Sequence, residues 1–281
     1  MSFEIREMTI SDLRCAVAWA GVEGWNPGIS DAECFYSADP HGFFMAFEGE
    51  TPLGCISAVA YDEDFGFIGF FIVRNDLRGH HIGVELGRAA LNYLGSRRIG
   101  QDGVLKKVKS YEHFGFNMAY RNIRHEGIAS KTPEANGGLV PLSQVPFREV
   151  CRYDNLHFPA QRASFLKKWI SQPQSLALGT FDAENHLSGY GVIRKCERGY
   201  KIGPLFADSS EISERILLGL ANFAPEGDPF YLDLPEPNKD ALALAVKYRM
   251  TEVFSTARMY LGATPELPLD KIFGVTSFEL G

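Results

Sequence analysis

Apolar and polar positions along the first half of the chain switch between two periods. In TISDLRCAVAWAGVEGWN, starting at Thr9, apolar residues recur every three or four positions, which predicts an amphipathic helix capped by Thr9 or Ser11 and stopped at Gly24. A second short helix is expected in ISDAECFYSA, capped by Ser30 or Asp31. Three strand-like runs follow, FFMAFE, GCISAVAYD and FGFIGFFIV, separated by the turn clusters EGETPLG and DEDFG, and together they read as an antiparallel meander. Helical spacing returns in VELGRAALNYLGSR. A strand near RIGQDGV comes next, then YEHFGF leading into NMAYRNIR.

The same rhythm recurs later in the chain. Phe70 to Leu94 lies over Tyr200 to Ala224 without gaps, so that Ile72 meets Ile202, Ile82 meets Ile212, Leu86 meets Ile216 and Asn92 meets Asn222. Further on, Asp102 falls opposite Asp233, Tyr111 opposite Ala245 and Arg124 opposite Arg258. Charged residues matched in both copies point to architecture. Two copies of one α+β unit are expected, joined by EGIASKTPEANGGLVPLSQVP, a connector rich in Gly, Pro and small polar residues.

Composition narrows the function. A chain of 281 residues has ample material for a core, and its net charge of −7 gives no global basic field for nucleic acid or anionic lipid. The five cysteines are scattered, with no CxxC pair or metal-ligand spacing, and read as reduced thiols of a cytoplasmic protein without a metal. No stretch approaches the roughly 18 apolar residues of a membrane span, and the first residues do not form a targeting signal. The expectation is a soluble protein with no nucleic-acid or membrane partner, monomeric or homodimeric.

The segment VRNDLRGHHIGVEL places Arg78, Gly79 and Gly83 around a helix start, where backbone amides and the helix dipole favour a phosphate or pyrophosphate. The GxGxxG and GxxxxGK[ST] fingerprints are absent, and a preceding meander disfavours a dinucleotide-binding βαβ unit. These residues resemble the Q/R-x-x-G-x-G/A loop of the GNAT superfamily of N-acetyltransferases: Arg78, Gly79, His80, His81, Ile82 and Gly83. His81 stands where the first motif glycine belongs, a position that needs only a backbone amide. SYEHFGF, with Tyr111, resembles the family's Y-x-x-x-G-F segment. GWNPG, IGQDGV, IGPLFAD, STARMYLG and FGVTSFELG extend the resemblance over nearly the whole chain, to a bacterial YitH-like subgroup with a divergent second GNAT-like domain.

The resemblance implies an α+β fold of tandem GNAT-like domains, each a mostly antiparallel mixed sheet flanked by helices. Residues 1–130 would be the acetyl-CoA-binding catalytic domain, 131–147 a linker and 148–281 the divergent domain. It implies direct transfer of acetyl from acetyl-CoA, as cosubstrate, to the amine of a small molecule. Backbone amides of Ile72 and Val73 would orient the acetyl group, the 78–83 loop would hold the pyrophosphate, and Tyr111 would protonate the leaving thiolate. Glu23 is the expected general base, with Asp102 as alternative, and Trp25 and Asn26 the expected acceptor wall. Lys106 to Lys109 would either meet the CoA adenosine phosphate or form a solvated face. In the second copy Asp208 falls at the Arg78 position and Ser213 at the Gly83 position, so that copy is not expected to bind CoA. An acyl-CoA sensor without chemistry, and a protein lysine acetyltransferase, are the alternative readings.

Overall fold

The computed structural model describes residues 2–132 and 137–281; residues 133–136 of the expected connector lie outside the described residues. Strand β1 (Glu4–Glu7) leads into α1 (Ile10–Val22). Thr9 caps that helix reciprocally: its hydroxyl accepts from the Asp12 amide at 3.3 Å while the Asp12 carboxylate accepts from the Thr9 amide at 2.9 Å. Then come α2 (Asp31–Tyr36), the antiparallel meander β2 (Phe43–Glu48), β3 (Thr51–Ala60) and β4 (Phe65–Val73), and α3 (Ile82–Leu94). Strand β5 (Arg98–Val104), α4 (Val108–His113) and β6 (Asn117–Ile128) complete the first half.

The second half repeats this order as β7 (Val140–Pro141), α5 (Phe147–Asp154), α6 (Ala163–Trp169), β8 (Ser175–Phe181), β9 (Leu187–Lys195), β10 (Tyr200–Ala207), α7 (Ser210–Ala221), β11 (Pro229–Pro235), α8 (Lys239–Lys247) and β12 (Thr251–Leu261). A final strand, β13 (Ile272–Gly274), has no counterpart in the first half.

The thirteen strands among the described residues form one sheet, in the order β1-β2-β3-β4-β5-β12-β6-β11-β10-β9-β8-β7, with β13 beside β10. The halves have exchanged their last long strands. Strand β12 pairs with β5 of the first half, and β6 pairs with β11 of the second. The register puts Arg258 directly opposite Asp102 and Arg124 directly opposite Asp233. Each couple forms a two-pronged ion pair, at 3.1 and 2.7 Å for Arg258 and at 2.6 and 2.7 Å for Arg124, with all four side chains buried. The charged residues matched between copies are therefore structural.

One apolar cluster draws on both halves. Phe35 of α2 stacks against Phe165 and Trp169 of α6, with ring centroids 6.5 and 5.8 Å apart, and joins Phe70, Ile72, Tyr190 and Phe206 from the sheet. The opposite face is covered separately, by α3 in the first half and by α7 and α8 in the second. Within β4 the two residues Phe70 and Phe71 oppose the single Ile56, a bulge of one extra residue, and Phe70 takes a positive φ of 46°. Phe65 and Phe67 face the α5–α6 side; the bulge brings Phe70 and Ile72 to that side in place of Phe71 and Val73.

The ungapped repeat needs one correction. Eight residues separate β4 from α3, but only Asp208 and Ser209 separate β10 from α7. The helices match at the predicted offset, which hid a gap in the loop before them. The loop carrying Arg78 has no equivalent in the second half, and Ser209 caps α7 with its own hydroxyl at 3.3 Å.

Removing one partner of a buried pair strands a charge, so Asp233→Ala is expected to lower unfolding free energy by about 3–5 kcal/mol in urea melts, and Arg124→Met with Asp233→Leu to recover most of it. Burial alone would push the Asp233 carboxyl up, but Arg124, with Lys201 and Arg194, holds it below its ordinary 3.8. Its contribution is therefore present above pH 3.8 and lost as pH falls through the lower folded value. The steepness of the acid limb should diminish in Asp233→Ala.

Candidate active site

Strands β4 and β5 run parallel and paired only from Phe65–Ile68 against Arg98–Gln101. Past this point they part, and among the described residues no strand pairs with β4 on that side from Gly69 to Val73. The gap is a cleft of about 570 Å³, part of it open to solvent. Gly69, Phe70 and Phe71 form one wall, and Gln101 to Val104 with Thr256 form another. Trp25, Tyr111, Phe254, Phe278 and Glu279 also line it.

Near the end of β4, Leu77 and Ile82 anchor the connecting loop in the core, while Arg78 to His81 stay exposed. Gly79 holds φ at +88°, a conformation other residues adopt only with strain. His81, standing in for the motif glycine, is the N-cap of α3 at an ordinary φ of −68°, so its side chain does not disturb the backbone; its ring reaches Glu85 at 2.8 Å. The Val84 and Glu85 amides both turn back to the His81 carbonyl, leaving the Ile82 and Gly83 amides at the open helix start. A Cβ on Gly83 would meet only ordinary contacts with Phe71 and Val73, so glycine there is not demanded by the protein's own packing.

The predicted residues divide into those at the cleft and those beside it. Tyr111 projects from α4 against Gly103, and burial raises its hydroxyl pKa, which keeps it a proton donor at neutral pH. Trp25 is at the cleft, while its carbonyl accepts from Arg124 at 2.7 Å. Ile72 and Val73 lie just past the bulge, paired with Cys55 and Gly54 on their other edge. Asn26 is turned away: its amide bridges the Arg198 backbone in both directions at 2.9 Å. Glu23, at the end of α1, does not line the cleft and instead holds Arg78, whose Nε also donates to the Val73 carbonyl at 3.0 Å. Asp102 is at the cleft but is saturated by Arg258, Asn122 and Thr256. Lys106, Lys107 and Lys109 are exposed, and no ion pair holds them among the described residues.

Several lining residues carried no signal that singled them out. Gln101 is buried with a single weak contact, to the Met259 sulfur at 3.7 Å. Phe254 and Thr256 arrive on the exchanged strand, and Phe278 and Glu279 on the segment after β13. Only the period of two within RIGQDGV pointed to Gln101 as a residue facing one side of a strand.

A bulged strand parting from a parallel neighbour, facing a glycine-bearing loop at a helix start, defines a class, and comparison with known proteins agrees. Residues 7–116 match the Acetyltransferase (GNAT) family and residues 150–274 an Acetyltransferase (GNAT) domain. The chain belongs to the GNAT family of acyltransferases and carries two of its domains. It is 27% identical over 263 residues to the holothin acyltransferase of Pseudoalteromonas sp. (strain SANK 73390), spanning 94% of this chain and 89% of that protein. Among solved structures, a candidate acetyltransferase from Pyrococcus horikoshii superposes with a TM-score of 0.84 at 27% identity, over 99% of this chain and 96% of that one. A tandem GNAT protein from the clavulanic acid biosynthesis pathway shares the fold, with a TM-score of 0.63 at 14% identity over 94% of this chain and all of the other.

Forcing a Cβ into the left-handed region costs about 1–2 kcal/mol. Gly79→Ala is therefore expected to lose about that much stability in chemical denaturation, whereas Gly83→Ala should stay within about 0.5 kcal/mol of the parent.

Proposed function

We propose that the protein transfers an acetyl group from acetyl-CoA to the amine of a small molecule. The observation that carries this reading is the cleft between β4 and β5, open next to the bulge, with β4 running on into the loop before the α3 start. The residues present suit an acyl-CoA. Unpartnered strand backbone in β4 offers edge hydrogen bonds to an extended pantetheine, and the Ile82 and Gly83 amides with Arg78 suit its pyrophosphate. Acetyl-CoA supplies the activated thioester. Past the bulge, amides near Ile72 and Val73 polarise the carbonyl in this reading. Tyr111, kept protonated by burial, gives its proton to the departing sulfur.

A small acceptor is favoured over a protein lysine because the second half helps to wall the cleft. Phe254 and Phe278, together with Trp25, narrow the space an acceptor would enter. In the second half the corresponding gap between β10 and β11 holds β13, which pairs with Leu205 and Phe206. This supports one acetyl-CoA per chain.

Calorimetric titration of acetyl-CoA tests the reading. One site per chain is expected, with affinity reduced at least tenfold in Arg78→Glu. Thiol release against a panel of small primary amines should follow, and Tyr111→Phe should lower kcat by about 10²-fold or more while leaving the acetyl-CoA Kd within twofold. Binding without thiol release from any amine would favour a sensor, and absence of binding would overturn the reading.

A further inference from the structure

We infer that Glu279 is the catalytic proton acceptor of this cleft, taking the proton that the acceptor amine gives up as it is acylated; the inference rests on the acyltransferase reading above. Glu279 lines the cleft, yet is only 3% exposed, and its Oε2 has no hydrogen-bond partner. No ion pair reaches its carboxylate among the described residues. A buried carboxylate oxygen without a partner carries a large desolvation cost, so one beside an open cleft calls for an explanation. Ser57 Oγ, also buried and unpartnered, would stand 3.0 Å from a Cβ on Gly69, the residue that abuts the Glu279 backbone. The unpartnered Oε2 of a residue lining the cleft marks a place for a polar ligand atom.

The segment bearing Glu279 is clamped on both sides. Val275 N donates to the Asp233 carbonyl at 2.7 Å, and Thr276 Oγ1 accepts from Arg162 at 2.9 Å. Beyond Glu279, the Leu280 amide donates to Ser277 Oγ at 3.0 Å and the Leu280 carbonyl accepts from the Tyr61 hydroxyl at 2.8 Å. A Cβ on Gly69 would collide with the Glu279 carbonyl, so glycine there is what admits the segment. This fixes the Glu279 backbone beside Gly69, next to the point where β4 bulges.

The other carboxylates are already engaged. Asp102 is saturated by three partners, and Glu23 holds Arg78 outside the cleft lining. Charged groups facing Glu279 are Arg124 on β6, Arg194 on β9 and Lys201 on β10, all of which sense its charge; Asp233 on β11 and Asp31 on α2 pair with the two arginines. Tyr111 and Asp102 lie along the same cleft.

The step balances without a further reactant. The neutral amine nitrogen forms a C–N bond to the thioester carbonyl carbon, the C–S bond breaks, and the proton lost from nitrogen goes to Glu279. The sulfur takes the Tyr111 proton, and one proton passing through solvent from Glu279 to Tyr111 restores both groups.

The test uses the full chain, acetyl-CoA and the best amine from the panel. Glu279→Gln is expected to lower kcat/KM for the amine by 10²-fold or more, with the acetyl-CoA Kd within twofold of the parent. Glu279→Asp, which draws the carboxylate back by one methylene, is expected to recover part of that loss, at a rate at least tenfold below the parent. Wild-type turnover in Glu279→Gln would overturn this role while leaving the acyltransferase reading intact. If Glu279→Gln fails to fold by circular dichroism, a wild-type rate in Glu279→Asp would overturn it instead. Failure of the parent protein to release thiol with any amine would overturn both.

Discussion

Two guanidinium–carboxylate pairs, Arg258–Asp102 and Arg124–Asp233, lie where the last long strand of each half crosses into the other, and the rest of the sheet hangs on them. Both couples are cross-strand neighbours and buried, so a slip of two residues in either strand would part the charges and leave each one stranded. A slip of one would turn every side chain to the wrong face. The pairs fix register rather than partner. Arg124 beside Asp102, and Arg258 beside Asp233, would satisfy the same charges without any exchange. What only the exchange supplies is the long antiparallel contact of β12 with β6 and the added hydrogen bonds of Asn122 and Thr256 to Asp102. That register also sets Phe254 and Thr256 beside the cleft.

The two halves solve one physical problem differently. A strand pair that parts leaves backbone groups without partners, and such groups must be met by chain, water or ligand. Between β10 and β11 the answer is chain: β13 pairs with β10, and Val275 bonds to Asp233. The short loop before α7 and its serine cap fit a half that meets its own needs. Between β4 and β5 the gap stays open, the loop is longer, and α3 lacks a side-chain cap. The segment that closes one gap then runs on to line the other, which ties the closed half to the open one through residues 275–281.

Much of this fold was legible because its local signals are dense. FFMAFE, FGFIGFFIV and RIGQDGV match β2, β4 and β5 to the residue, each bounded by turn residues, and Thr9 caps α1 as its spacing implied. Strand β1 was missed because EIRE carries almost no apolar pattern. The exchange was illegible for a stronger reason: matched Asp and Arg residues are compatible with either pairing, so the residues that hold it together do not announce it. The bulge at Phe70 was hidden too, since an aromatic residue at positive φ contradicts local preference and is sustained by the core around it. The 78–83 loop and Tyr111 were singled out by linear motifs alone. Glu279 could not be, since its meaning lies in the absence of a partner.

Glu23 and Arg78 show how a sequence pattern can identify the right residues yet leave their relation open. Each was read alone, one as a carboxylate near an aromatic ring and the other as a cation near a helix start. In the fold the end of α1 brings Glu23 to the guanidinium, which also donates to the Val73 carbonyl. With side chains 25% and 46% exposed, such a pair contributes at most about 1 kcal/mol, so an arriving anion can compete for Arg78 at small cost. What the contact does provide is order, holding a long side chain near the last residue of β4 and the open amides of α3. Glu23 thereby lies beside the α3 start, outside the cleft lining, while Glu279, whose Oε2 has no partner, lines the cleft with its backbone against Gly69.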